Sequence, residues 1–413
     1  MFVNLTSVNW TRSLFFIFTV ALLIRLGFVL TLQDGFYFPD SVSYSAAAVN
    51  LLGNGELGKT YNRPPGYPVF LAAIYFVFGE SVFAVRMVES LVGALLTVII
   101  ALIARRIGGE AVGALAGFLW GIYPIAVFLA GLVYPTQLLT ILLASGMLCL
   151  LPRARQTPAP KHFLFAGVLW GLAALTTPIA LVTICAISLW LLYWYRMKAL
   201  PSVGVLVFGA ALTVIPWAIR DFYFYGQPVV VDPRLTRHLP RITDVEDDIR
   251  GDKLQSILKH PSQLAEHFVA EFIHFWKIYP DRINMDRPGA REERHKKDPR
   301  VVQNTIFTTN NFITIISILS TGPLFLFALI GTALMWFQRE RRRDLSLLWM
   351  TILSVPVGYS FFITKVRYRI PIEPFITILC SFGLAQTWTF LASRFNYLAK
   401  PRGKAEVDFE RAS

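Results

Sequence analysis

Charge is scarce in this chain. Of its 413 residues only 16% are Asp, Glu, Lys or Arg, against roughly a quarter in soluble proteins, and mean hydropathy is +0.53. An ordinary soluble domain is excluded. Cysteine is also scarce: Cys149, Cys185 and Cys380 each sit inside an apolar run. No CxxC pair exists, so neither a disulfide framework nor a thiolate metal site is suggested. GxGxxG, P-loop and HExxH patterns are all missing, which leaves a nucleotide cradle or a zinc hydrolase without support. No internal repeat is visible. Acids are the scarcer sign, 26 against 39 bases for a net charge of +13. In so apolar a chain that excess reads as the positive-inside bias of cytoplasmic loops rather than a nucleic-acid surface.

What the chain has in abundance is long apolar runs, the signature of transmembrane helices. The expected fold class is an all-α polytopic membrane protein of about ten spans, each of roughly 20 residues. Residues 13–32 form the first, and no small-residue cleavage site follows it, so a retained helix fits better than a removed signal peptide. Arg25 within that span is expected to face protein or water rather than lipid. Residues 82–104 and 111–130 come next, the second with a kink at Pro124. Residues 137–151 follow, then a hairpin of 163–175 and 179–194 turned at Thr176, Thr177 and Pro178, and then 203–219. Residues 312–337, 345–363 and 372–391 complete the set. Residues 66–79 are apolar but short, which suggests a re-entrant or interfacial helix.

The expected organisation is an N-terminal membrane module at 1–219 with a first outside loop at 33–81, a long outside loop at 220–311, C-terminal membrane helices at 312–392 and a cytoplasmic tail at 393–413. The long loop holds 14 acids against 15 Lys and Arg, a balance that implies a solvated segment rather than a polybasic arm. Within it, Leu254, Ile257, Leu258, Leu264, Phe268, Phe272, Phe275 and Trp276 recur at helical spacing, suggesting amphipathic helices on the membrane surface. With both termini cytoplasmic, the basic connectors at Arg105, 153–161, Arg196 and 339–343 fall inside. One connector breaks the positive-inside pattern: Lys365, Arg367 and Arg369 fall outside, and an anionic ligand is the economical reason.

Residues 39–68, PDSVSYSAAAVNLLGNGELGKTYNRPPGYP, are polar and rich in Gly and Pro between two apolar segments. A carboxylate such as Asp40, at the membrane surface, can serve as a general base towards an acceptor hydroxyl or amine. Arg63, Arg367 and Arg369 can read phosphate through charge-assisted contacts. A lone loop Asp equally serves as a cap or turn former, and Arg63-Pro64-Pro65 equally makes a rigid loop exit.

The ordered set of motifs resembles the GT-C superfamily of polyprenyl-phosphate-sugar glycosyltransferases. The nearest branch is the family-39-like bacterial group akin to protein O-mannosyltransferases and lipid A aminoarabinose transferases. The residues that carry the resemblance are Pro39-Asp40-Ser41-Val42-Ser43-Tyr44, Asn54-Gly55 and Arg63-Pro64-Pro65-Gly66-Tyr67-Pro68. Val85-Arg86, Ala104-Arg105-Arg106, Thr176-Thr177-Pro178 and Pro216-Trp217 to Arg220 continue it. Tyr225-Gly226-Gln227-Pro228-Val229, His260-Pro261 and Arg367-Tyr368-Arg369-Ile370-Pro371 complete it, in order from about Ile24 to Leu384. The resemblance implies a catalytic role for Asp40 and donor-phosphate contacts from Arg63, Arg367 and Arg369, with Tyr44, Tyr67 and Tyr368 lining the pocket. It also implies an outside-facing cavity and inversion at the anomeric carbon.

Three departures stand out. Ser41 follows Asp40 where many relatives have a second acid, Tyr134-Pro135-Thr136-Gln137 replaces a turn that often carries Glu, and Thr177 replaces an Arg before proline. A divalent metal needs hard oxygen donors, usually with carboxylates; none is called for as a site here, and no other cofactor is implied. The expected activity is sugar transfer from a polyprenyl phosphate to an envelope acceptor on the outer face of a bacterial cytoplasmic membrane. The expected partners are that donor, the acceptor and membrane lipids, with no nucleic acid. A transporter or flippase for a lipid-linked anion, and an oligosaccharide ligase, are the alternatives.

Overall fold

The computed structural model describes residues 9–58, 63–151, 159–225, 261–279, 310–362 and 364–398. Much of the expected long loop, including Leu254, Ile257, Leu258 and the Tyr225-Gly226 motif beyond its first residue, lies outside the described residues, as do Lys59, 152–158 and the tail from 399.

Fourteen α-helices and no β-strand occur among the described residues. They are α1 (Trp10–Leu30), α2 (Pro39–Asn54), α3 (Gly66–Phe78), α4 (Val82–Gly108), α5 (Glu110–Ile122), α6 (Pro124–Leu129) and α7 (Thr136–Leu150), followed by α8 (Pro160–Thr176), α9 (Ala180–Tyr195), α10 (Leu200–Tyr225), α11 (Pro261–Phe275), α12 (Asn310–Phe337), α13 (Arg342–Tyr359) and α14 (Glu373–Leu398). The all-α polytopic class is thus as expected. Five stretches are long and apolar enough to cross a membrane: Trp10–Leu30, Val82–Gly108, Ala180–Tyr223, Thr314–Phe337 and Val366–Ser393. The third is two helices, because Arg196 takes a left-handed φ of 57° between α9 and α10. The remaining expected spans are present as shorter or divided helices.

The division of 111–130 has a local cause. Proline forces the residue before it out of the helical region, and Tyr123 is extended at φ −62°, ψ 121°. Pro124 then opens α6 at a first-turn position, where a missing N–H costs nothing. The expected kink is therefore a complete break. In contrast, α4 runs for 27 residues with Ser81 accepting from the Ala84 N–H at 3.2 Å as its cap. At 1.5 Å per residue it is about 40 Å long, and it packs against α1, α5 and α7.

Close packing rests on small residues, as expected where lipid removes the hydrophobic drive between helices. Gly167 and Gly171 of α8 lie directly on the backbone of α10, and Gly331 of α12 interlocks with Gly383 of α14. A methyl group at any of these four would collide with a facing main chain.

The two ends of the bundle differ. At one end Arg106 of α4 donates to the Leu151 carbonyl at 2.8 Å and to that of Leu148. Arg341 donates to the Ile107 carbonyl, and Arg343 to the Tyr195 hydroxyl at 3.0 Å. Cations here satisfy carbonyls that helix C-termini leave open. At the other end Arg86, near the start of α4, donates to the carbonyls of Gln33 (2.7 Å), Gly35 (2.7 Å) and Gly131 (3.0 Å). That one buried side chain ties the first loop to the loop between α6 and α7.

Candidate active site

Asp40 lies in the first turn of α2, preceded by the extended Phe38 and by Pro39. A carboxylate there is favoured by the exposed N–H groups and dipole of the helix. Three other segments converge on it. Arg63 Nη2 lies 2.7 Å from Asp40 Oδ1. The Tyr134 hydroxyl donates to Oδ2 at 2.9 Å. Arg367 Nη2 stands 3.9 Å from the same Oδ2, close enough for ionic attraction but not for a hydrogen bond. Asp40 and Arg367 each keep 36% of side-chain exposure, and Arg63 keeps 18%.

Tyrosines hold the cations in place. Arg63 lies over the Tyr44 ring, 5.1 Å from its centroid. Arg367 lies between Tyr134 (5.1 Å) and Tyr368 (5.4 Å), and Tyr368 is itself stacked on Tyr359 at 4.4 Å. Tyr44 meets Tyr134 edge-on at 5.9 Å and Tyr67 at 5.4 Å. Tyr44, Tyr134 and Tyr368 each offer the negative face of the ring to a guanidinium.

Electrostatics follow from this packing. Burial by itself would raise the Asp40 carboxyl. Arg63, through charge and hydrogen bond, together with the Tyr134 hydroxyl and Arg367, outweighs burial and holds the group below its ordinary value. Burial would lower Arg63, but Asp40 and Tyr44 push it above its ordinary value. Tyr134 is raised well above the usual tyrosine range by burial, so its hydroxyl stays a donor.

The structure thus brings together Asp40, Arg63, Arg367, Tyr44 and Tyr368. It does not bring Arg369 to them. That side chain is wholly buried, donates to Glu373 Oε1 at 2.8 Å and to the carbonyls of Phe275 (3.5 Å) and Lys277, and fastens the Arg367 segment to α11. Tyr67 also stands back: it is wholly buried behind Tyr44, with its hydroxyl donating to Glu89 Oε1 at 3.0 Å. Asp34, in the same loop, accepts from the Gly35 N–H at 3.1 Å as a turn former. Sequence reasoning treated Tyr134 only as part of a turn. Its position next to Pro135 in the departing Tyr-Pro-Thr-Gln motif was the available signal.

The set does not fit a divalent cation. Among the described residues of this set Asp40 brings the only carboxylate, both its oxygens face donors, and two guanidinium groups stand beside it. Hard cations need several free oxygen ligands.

A family model described as dolichyl-phosphate-mannose-protein mannosyltransferase matches residues 62–219. That segment contains Arg63 and Tyr134 but neither Asp40 nor Arg367. Among solved structures, ArnT from Cupriavidus metallidurans bound to undecaprenyl phosphate superposes with a TM-score of 0.53 at 13% identity, covering 92% of this chain and 61% of that one. The apo oligosaccharyltransferase of Archaeoglobus fulgidus gives a TM-score of 0.60 at 12% identity, covering 97% and 53%. The chain shares the fold of these solved structures. A further structure, the archaeal oligosaccharyltransferase AglB from Archaeoglobus fulgidus with an inhibitory peptide and a dolichol-phosphate, gives 0.50 at 13% identity over 95% and 52%. The chain therefore spans between about half and three fifths of the length of these solved structures. No curated protein matches it in sequence.

Proposed function

We propose that the chain is an inverting glycosyltransferase that moves a hexosyl- or pentosyl-type sugar from a polyprenyl phosphate to a cell-envelope lipid, glycan or protein. The observation that carries this reading is one half-exposed carboxylate shared by two arginines and a tyrosine hydroxyl at one end of a GT-C bundle. Asp40 takes the proton of an acceptor O–H or N–H. The acceptor attacks the anomeric carbon from the face opposite the phosphate, the carbon–oxygen bond to phosphate breaks, and polyprenyl phosphate leaves. Arg63 and Arg367 stabilise the charge that grows on its oxygens.

The free site holds Asp40 as a weak base, because its carboxylate is paired with arginine. A donor phosphate is a second anion competing for the same two guanidinium groups. As Arg63 and Arg367 turn to it, Asp40 loses the partners that depress it and becomes the stronger base. Donor binding thus prepares the proton acceptor. The basic cluster at 105, 106, 341 and 343, at the end of the bundle away from Asp40, supports an outer-face site in a bacterial cytoplasmic membrane by the positive-inside rule.

The test is turnover of purified full-length protein in detergent with synthetic undecaprenyl-phosphate monosaccharides, reading released undecaprenyl phosphate by mass spectrometry. Asp40→Asn is expected to lower turnover by about 10²- to 10⁴-fold, the range for a lost general base. Undiminished turnover in that variant would sink the assignment. Oligosaccharide donors in parallel distinguish a ligase, and lipid crossing vesicle bilayers with its sugar bond intact would favour a transporter.

A further inference from the structure

One buried carboxyl has no part in the scheme above. Glu89 lies on α4 and is fully buried. Burying such a group is costly unless hydrogen bonds satisfy it, and its two oxygens have separate donors. Tyr67 Oη donates to Oε1 at 3.0 Å and Gln137 Nε2 to Oε2 at 3.0 Å. Gln137 Nε2 also reaches the Glu89 main-chain carbonyl.

The placement of these two donors is informative. Tyr67 is in the first turn of α3, immediately beyond Arg63-Pro64-Pro65. Gln137 is in the first turn of α7, immediately beyond Tyr134-Pro135. The two segments that carry side chains to Asp40 from within residues 62–219 are therefore each anchored, about one turn further on, to the same carboxyl. The prolines stiffen the chain between anchor and site. Gly66 seats the start of α3 against Leu175 and Thr176, where an added methyl would come within 2.8 Å of Thr176 Oγ1. The Tyr67 ring then supports Tyr44, over which Arg63 lies.

We infer that Glu89 is a positioning residue, which sets Arg63 and Tyr134 at their distances from Asp40 by holding Tyr67 and Gln137. This inference rests on the donor-phosphate reading for its binding readout but not for its geometry. A side chain acting through placement of Arg63 has a distinctive signature: its loss matters only while Arg63 is present.

The experiment uses the full chain in detergent, with undecaprenyl phosphate as probe and native mass spectrometry as readout. Glu89→Leu is expected to weaken binding by about tenfold, the scale of one hydrogen bond. Glu89→Gln, which keeps an acceptor for Tyr67, should recover most of it. In an Arg63→Ala background Glu89→Leu should cost less than twofold, whereas a merely structural role would give the same loss in both backgrounds and overturn the inference. Tyr67→Phe removes only the α3 anchor and carries the same test should Glu89→Leu fail to fold. Hydrogen exchange without ligand provides an independent arm: Tyr67→Phe should speed exchange of the amides around residues 63–69, and wild-type rates there would overturn the inference. Failure of the wild type to bind undecaprenyl phosphate would instead count against the donor reading, and the exchange arm would still decide the role of Glu89.

Discussion

Two arginine–carboxylate pairs, one from each end of the chain, have opposite characters. Arg63 and Asp40 meet at 2.7 Å with 18% and 36% of their side chains exposed. Arg369 and Glu373 meet at 2.8 Å with no exposure at all. The first pair ties the start of α2 to the segment before α3, reaches water, and shares its carboxylate with Tyr134 and Arg367. The second is one helical turn long, sealed under Phe325, whose ring lies 5.0 Å from the Arg369 guanidinium. An exposed pair gains little stability from its charges, because water screens them and competes for both partners. A sealed pair cannot be half-removed without stranding a charge. The same chemistry therefore serves exchange in one place and fixation in the other: Arg367 has to remain available to an anion, and Arg369 holds the segment that carries it.

Substitution separates the two most sharply on opposite axes. Asp40→Asn should remove activity by the 10²- to 10⁴-fold given above while shifting the melting temperature little, since an exposed pair is worth about 0–1 kcal/mol. Glu373→Gln should do the reverse in kind, costing about 3–5 kcal/mol of stability by leaving Arg369 buried and unpaired. Thermal unfolding in detergent measures it, and a melting temperature equal to wild type would erase the distinction between the pairs.

A smaller effect probes how Asp40 is held. Tyr134→Phe removes one hydrogen bond to a charged acceptor, worth about 1.5–3 kcal/mol, and is expected to slow turnover by about 10- to 100-fold with the protein still folded. A rate within twofold of wild type would leave Arg63 as the only effective orienter.

The gentlest probe is pH. In the folded protein Asp40 lies below its ordinary value, so its charge contributes stability above the unfolded carboxylate range and loses it only as pH falls through the depressed value. For catalysis, kcat/KM reports the free enzyme and kcat the donor complex. If the donor phosphate draws the arginines away, the acid limb of kcat should lie at higher pH than that of kcat/KM. Coincident limbs would break the exchange argument, because Asp40 would then feel the same partners with and without donor.

How much of this was legible in advance depended on distance along the chain. α4 was readable because residues 82–104 are predominantly apolar and long enough to span, and the helix of 261–275 because Phe268, Phe272 and Phe275 keep helical spacing. Asp40, Arg63 and Arg367 were readable as candidates through motif resemblance, each on its own segment. That they share one outside-facing site followed from the topology and the same resemblance; the contacts among them did not, since nothing local links residue 40 to residue 367. Tyr134 and Glu89 were missed for the same reason: a tyrosine in a turn and a lone acid within an apolar run gain meaning only from the partners that folding brings to them. Arg369 shares a motif with Arg367, and yet the tight helical segment Val366–Ile372 turns the two side chains to different surroundings, which spacing along a line does not reveal.

The extended residue Tyr123 uncouples two demands on one stretch of chain. In an unbroken helix every inserted or deleted residue rotates all that follows by about 100°, so any change in the lipid-facing part would swing Tyr134 away from Asp40. With the break, the end of this stretch is registered by Arg86 on the Gly131 carbonyl and not by the winding of α5. The part in lipid can follow the thickness and composition of the bilayer, while the hydroxyl beyond it answers only to the site.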